Sequence, residues 1–296
     1  MNASTDADLS ASRNDIHRGA AHASRDVVGW GAAGAAWAGP DARGVSHAIA
    51  QCLYDAGVRE AFGLLGGGIA PFSAGLSHTA IRFHHFRHEA GAGFAAIESY
   101  HETGRPAVVV VTTGPGLFNV LNAAMAARVD GAKLLVISGF TARPQVSRGA
   151  VQETTHQSMP SELTRAGSIF HDVVIPESEE ELPVALARIV RGLRGPTPYV
   201  AHLGLPLSLQ TRLCAKPLAL AHPSWNLSRP APSIEAIDAC LHVLGDPSAV
   251  LWVGSGAITA HDALRRFAEA AGLPVISSPR AKGVFPESHP LFVGVS

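Results

Sequence analysis

Residues 107–111 read Ala-Val-Val-Val-Val, a run with no polar position to turn toward water. A strand built from it has to be covered on both faces, which places it inside a parallel sheet with helices packed on either side. The flanking sequence repeats the constraint. TTGPG (112–116) breaks the run before the helix-like LFNVLNAAMAAR (117–128), and KLLVISG (133–139) supplies a second buried strand. Upstream, Val45, Ile49, Cys52, Leu53 and Ala56 follow helical spacing and predict a helix from Gly44 to Ala56, ended by Gly57. VREAFG (58–63) reads as a short strand leading into GLLGGG (63–68), IRFHHF (81–86) as another strand, and 89–101 as a helix. Downstream, Leu182, Leu186, Ile189 and Leu193 make a helical stripe, and GPTPYVAHLGLP (195–206) provides a closing strand. Alternation of this kind is the pattern of a doubly wound α/β domain.

The rest of the chain divides around that domain, expected at 41–212. The first forty residues lack an apolar segment long enough for a signal sequence or a membrane span and read as a disordered tail, 1–40. Residues 213–232, proline-rich and without periodicity, read as a linker. A second unit, 233–296, then offers a helix (IEAIDACLHVL), a strand and glycine turn (AVLWVGSGA), a helix (TAHDALRRFAEAAG) and a strand (LPVISSP). An open α/β domain runs to about 100–150 residues, so this unit is expected to be an incomplete, Rossmann-like one, as if the chain were truncated.

Composition limits the chemistry. With 23 basic and 24 acidic residues and no basic block, nothing marks a nucleic-acid or anionic-membrane surface. The three cysteines, Cys52, Cys214 and Cys240, lie far apart without metal or disulfide spacing, which fits a reducing cytoplasm. HHFRHE (84–89) crowds three histidines and a glutamate, but the HExxH pattern is not met and the alternation in IRFHHF favours a strand over a ligand-bearing helix, so no metal site is assigned. GLLGGG and GSGAIT (254–259) invite a dinucleotide reading, yet neither completes GxGxxG. Glu89 opens the small-residue helix FRHEAGAGFAA, and taken alone it is explained by the helix macrodipole.

Its company changes that. LYDAGVREAFGLLGGG, then RHEAGAGFAA, then VVVVTTGPGLFNVLNAAMAARVDGAKLLVISG, then GAVQE, in this order and at these intervals, resemble the pyrimidine-binding domain of thiamine-diphosphate enzymes of the acetolactate synthase and benzoylformate decarboxylase superfamily. The resemblance runs from about Gly44 to Gln210 and resumes in AVLWVGSGA and LPVISSPRAKGVFPESHPLFVGVS, which look like the opening of the family's central domain. It implies thiamine diphosphate as cofactor and a 2-keto acid as substrate, in a lyase or carboligase. Glu89 would be the catalytic carboxylate, sharing a proton with N1′ of the aminopyrimidine, a role suited to a partly desolvated carboxyl group. Gly66 and Gly67 match one loop at the cofactor, with Leu65 where the family usually has proline. Thr113, Gly114, Pro115 and Gly116 match the turn near the pyrimidine, with Asn119 opening the next helix. Gln152 matches a glutamine facing the substrate, with Val151 in place of an aromatic residue. The small residues Ala90, Gly91 and Ala92 would let a ring and a neighbouring chain approach. The GDG…N motif that holds magnesium and the diphosphate has no match, so the resemblance implies that a missing domain or partner chain supplies them. FAD in the central domain is possible for the family, but no residue here supports it. The chain is expected to form a homodimer, or to join a chain carrying the diphosphate-binding domain, through an apolar face on the helices at 89–101 and 116–127. The alternative is a non-catalytic remnant or a regulatory, dimerising partner.

Overall fold

The computed structural model describes residues 44–214, 231–246 and 248–296; the tail expected at 1–40 and most of the linker expected at 213–232 lie outside them. The chain forms two units, divided between Trp225 and Asn226.

The first unit carries six parallel strands: β1 (Glu60–Gly63), β2 (Arg82–His85), β3 (Ala107–Val111), β4 (Lys133–Phe140), β5 (Asp172–Val174) and β6 (Tyr199–Pro206). Their order across the sheet is β2-β1-β3-β4-β6-β5. The valine run is therefore an interior strand, and its alternation does what the sequence requires. Val108 and Val110 join a core with α1 (Val45–Asp55), α2 (Ala70–Ser77) and α6 (Leu182–Arg194). Val109 and Val111 join a separate core with α3 (Glu89–Thr103) and α4 (Pro115–Asp130) on the opposite face. Every residue of β3 is buried.

Chain direction fixes where a site can form. From β1 the chain moves outward to β2, then returns past β1 to β3, so β1 and β3 are neighbours whose following loops lead to different parts of the sheet. The crevice outside the carboxyl ends of such strands is where open α/β sheets take ligands. The loop after β1 and the turn after β3 both border it.

The structure adds elements that the sequence pattern hides. β5 is a three-residue edge strand inside the polar stretch before α6, and α5 (Ser161–Thr164) and α7 (Leu207–Gln210) are single turns. Such short pieces carry too few residues to show a period. The second unit holds α8 (Ile234–Leu244), α9 (His261–Ala271) and a three-stranded parallel sheet of β7 (Leu251–Val253), β8 (Val275–Ser277) and β9 (Phe292–Val295), ordered β7-β8-β9. The helix expected from Thr259 begins at His261, and Thr259 and Ala260 belong instead to a 3-10 segment, Ser255–Ala260, ahead of it. Among the described residues, no helix is long and apolar enough to cross a membrane.

Candidate cofactor site

Glu89 is the first residue of α3, directly after the N-cap His88, whose ring Nδ1 accepts the Ala90 N–H at 3.2 Å. That histidine is thereby spent on capping. His84 lies 3.4 Å from Glu60 and stacks on Phe62, while His85 meets Phe83. Strand alternation thus separates the histidines of HHFRHE, and the described residues contain no cluster of His, Cys, Asp and Glu able to hold a metal ion.

A capping or dipole-paired carboxylate is content in water, but Glu89 is 4% exposed. Its Oε2 accepts a hydrogen bond from Asn119 Nδ2 at 3.0 Å. Among the described residues its Oε1 has no hydrogen-bond partner, and it faces Gly116, where an added Cβ would lie 3.3 Å away. Asn119 does not open α4, as expected, because the helix begins at Pro115. It stands one turn further in, and that offset lets its amide reach back to Glu89.

Gly114 makes the turn into α4 with φ 60° and ψ −107°, a conformation that a side chain rarely adopts. An added Cβ there would also press on Gln152 at 3.2 Å. The turn 112–116 accordingly has Glu89 on one side and Gln152 on the other. Thr113, itself buried, donates from Oγ1 to Gln152 Oε1 at 3.3 Å. Pro115 fills the first helical position, where its missing N–H costs no hydrogen bond.

The glycine loop after β1 lies against the same turn. A Cβ at Gly66 would fall 2.6 Å from Thr112 Oγ1, whereas at Gly67 it would meet nothing within 4 Å, since that position opens onto a cavity. This cavity, about 480 Å³, is lined by Gly67, Thr113, Phe140, Arg148 and Gln152 among others. Leu65 and Val151, the two departures from the family pattern, are 38% and 89% exposed.

Two positioning groups have no signal in the sequence motifs. Gln210 is buried, and its amide donates to Gly68 O at 2.9 Å and Leu205 O at 2.8 Å while Oε1 accepts from Phe72 N–H at 3.3 Å. It ties the glycine loop to the end of β6. Arg148 lines the cavity from a loop whose sequence gave no cue to charge recognition. The small residues Ala90, Gly91 and Ala92 have a partner reading too: the close approach in this helix is at Gly93, where a Cβ would come 2.4 Å from Ala123 Cβ, so the packing of α3 on α4 within the chain uses it. Gly91 is exposed.

A site for an aminopyrimidine needs an acceptor held in place, an open oxygen beside it and backbone that lets a flat ring approach. Glu89 Oε1, fixed through Asn119 and bordered by Gly116, meets that description. The comparisons bear on the family and the fold. Residues 43–159 match the family described as thiamine pyrophosphate enzyme, N-terminal TPP binding domain, and 244–296 match its central domain. Acetolactate synthase isozyme 1 large subunit of Escherichia coli is 31% identical over 249 residues, 83% of this chain and 43% of that protein. Acetolactate synthase 1, chloroplastic, of Zea mays is 29% identical over 262 residues, 86% of this chain and 40% of that protein. The chain thus spans less than half the length of these relatives. The fold matches a Mycobacterium smegmatis protein described as a thiamin diphosphate-dependent enzyme, with a TM-score of 0.75 at 23% identity over 86% of this chain and 48% of that one. With an N-terminal cofactor-binding domain and a central-domain segment in that order, the chain belongs to the thiamine pyrophosphate enzyme superfamily.

Proposed function

We propose that the chain supplies the pyrimidine-binding half of the active centre of a lyase or carboligase acting on 2-keto acids, acetolactate synthase-like in its chemistry. The observation that carries this reading is the buried Glu89 carboxylate, one oxygen held by Asn119 and the other left open beside Gly116. Thiamine diphosphate, when bound, supplies the nucleophilic carbon and the electron sink that such reactions need. Glu89 shares a proton with the ring nitrogen of the aminopyrimidine through Oε1. Asn119 sets the orientation of that carboxylate, and Gly114 and Gly116 keep Cβ atoms out of the path of the ring. Gln152, anchored on Thr113, faces the bound acid. Magnesium and the diphosphate are held by another domain or chain, and the centre works in a reducing cytoplasm. No FAD role is assigned.

Calorimetry with thiamine diphosphate and magnesium, with and without a chain carrying the diphosphate-binding domain, tests the reading. Tight binding only in the presence of that second chain is expected. Binding unaffected by Glu89→Gln in the assembled pair would remove the role given to Glu89.

A second reading within the same superfamily rests on a separate observation. The outward faces of α3 and α4 leave Phe94, Phe118 and Met125 exposed by 40%, 46% and 40%. Large apolar groups grouped on two adjacent helices suit a pairing surface. A chain of this kind would serve as a dimerising or regulatory partner of a complete enzyme. Turnover by the assembled pair that depends on Glu89 of this chain separates the catalytic reading from the regulatory one.

A further inference from the structure

The cavity beside Gln152 contains a single formal charge among its lining residues, the guanidinium of Arg148. The other lining groups are glycines, hydroxyls, amides and apolar side chains, with no carboxylate to neutralise it. Among the described residues no ion pair engages Arg148, an exposed residue that lines the cavity.

The segment that presents it is held in an unusual shape. Ser147 and Gln152, neither of them glycine, have φ of 60° and 54°. Glu153 clasps the base of this loop, both its carboxylate oxygens accepting the Ser147 N–H at 3.1 Å. Arg148 N–H donates to Gln145 O at 3.2 Å, and Thr154 Oγ1 donates to Gln152 O at 2.9 Å. Glu153 is therefore used to shape the loop, and among the described residues the Arg148 guanidinium has no carboxylate partner.

We infer that Arg148 is a specificity-determining residue that receives a second anionic group of the substrate, one that the substrate keeps through the reaction. This rests on the function proposed above. The carboxylate next to the keto group cannot be that group, because it leaves as carbon dioxide. A cation stabilising it in the ground state would be lost in the transition state and would slow the step. A distal carboxylate, as in a 2-oxo dicarboxylic acid, keeps its charge throughout, and pairing with it binds ground and transition states alike. A cavity of about 480 Å³ accommodates such an acid.

The test titrates the chain with 2-oxoglutarate and 2-oxobutyrate, two 2-keto acids that differ in the distal carboxylate, by ligand-observed NMR at matched ionic strength. A preference of roughly fivefold for 2-oxoglutarate is expected, the size an exposed ion pair contributes. Arg148→Met should erase the preference and Arg148→Lys should keep part of it. Arg148 is exposed, so neither change removes a core contact. Equal affinity for the two acids, no binding of either, or a preference that survives in Arg148→Met would overturn the inference. So would inorganic pyrophosphate displacing 2-oxoglutarate through Arg148 with higher affinity, which would assign the cation to phosphate. A parallel titration of thiamine diphosphate and magnesium into the pair assembled with the parent chain and with Glu89→Gln reports on the cofactor reading alone. Loss of that reading shows as unchanged cofactor binding by that pair, whatever the acids do.

Discussion

His202 offers a perturbation whose size follows from the structure. It is fully buried in the middle of β6, with Nδ1 2.9 Å from Leu163 O and Nε2 2.8 Å from Ser138 Oγ. A carbonyl only accepts, so Nδ1 carries the proton, and Nε2 accepts from the Ser138 hydroxyl. The ring is thus neutral in the fold, and burial pushes its pKa down from 6.5 to about 4, despite the opposing pull of the Leu163 carbonyl. Between those two values the unfolded chain binds a proton that the folded chain refuses. The contribution of His202 is complete above the unfolded pKa and is lost as pH falls through the window from 6.5 to about 4. At about 1.36 kcal/mol per unit, the loss between pH 7 and pH 5 is about 2 kcal/mol, approaching about 3 kcal/mol near pH 4. Urea unfolding followed by circular dichroism at pH 7 and pH 5, on the parent and on His202→Leu, isolates it. The leucine variant starts less stable, because Leu163 O and the Ser138 hydroxyl lose a buried partner, yet its stability should fall by about 2 kcal/mol less across the same interval. All other titrating groups are common to both proteins and cancel. Equal losses in the two proteins, within the about 0.5 kcal/mol expected of independent sites, would refute the neutral, buried histidine.

Glu89→Gln keeps shape and one hydrogen bond but removes the shared proton, so in the assembled centre cofactor C2-proton exchange should slow by about 10²–10⁴ while the unfolding midpoint is preserved; hydrogen–deuterium exchange followed by NMR reads it. Gln210→Ala strands the Gly68 and Leu205 carbonyls and the Phe72 N–H, and should cost about 2–4 kcal/mol in urea unfolding. Gly93→Val drives a side chain into Ala123 and should destabilise by about 1–3 kcal/mol or more, measured the same way. The isolated chain should self-associate in sedimentation velocity, and Phe94→Lys with Phe118→Lys should shift it toward monomer; a parent that sediments as a monomer would remove the pairing surface.

The parallel sheet was legible wherever a strand is buried on both faces, because burial there leaves a mostly apolar run. Ala107–Val111 is wholly of this kind, and Lys133–Phe140 is so apart from Lys133 at its start and the buried Ser138, whose hydroxyl pairs with His202. β5 was not, since an edge strand of three residues that includes Asp172 needs little apolar sequence. Of the candidate site, Glu89 and the turn 113–116 stood out as motifs, but the bond between Glu89 and Asn119 joins residues thirty positions apart and depends on how α3 crosses α4. Gln210 and Arg148 stand in no motif at all. The first acts through backbone groups whose need for a partner appears only in the fold, and the second is read from a cavity lining that, among the described residues, holds no carboxylate.

The crossing of α3 on α4 also bears on the two explanations of Glu89. A carboxylate placed for the helix macrodipole works at the surface, where water stabilises its charge and the dipole adds a modest attraction. Burying it removes the water and costs free energy unless hydrogen bonds replace what is lost. Here Asn119 replaces part of it on one oxygen, and the backbone at Gly116 comes close to the other without offering a donor. The macrodipole alone does not account for a carboxylate withdrawn from the surface in this way. A ligand that brought a proton donor to Oε1 would supply the partner that the described residues do not. The glycines nearby point the same way, since Gly114 and Gly116 keep side chains off the space between Glu89 and Gln152 at the divergence of β1 and β3. A carboxylate withdrawn from water with one oxygen held by Asn119, beside glycines that leave room for a flat ring, is what supports reading this domain as half of a cofactor site.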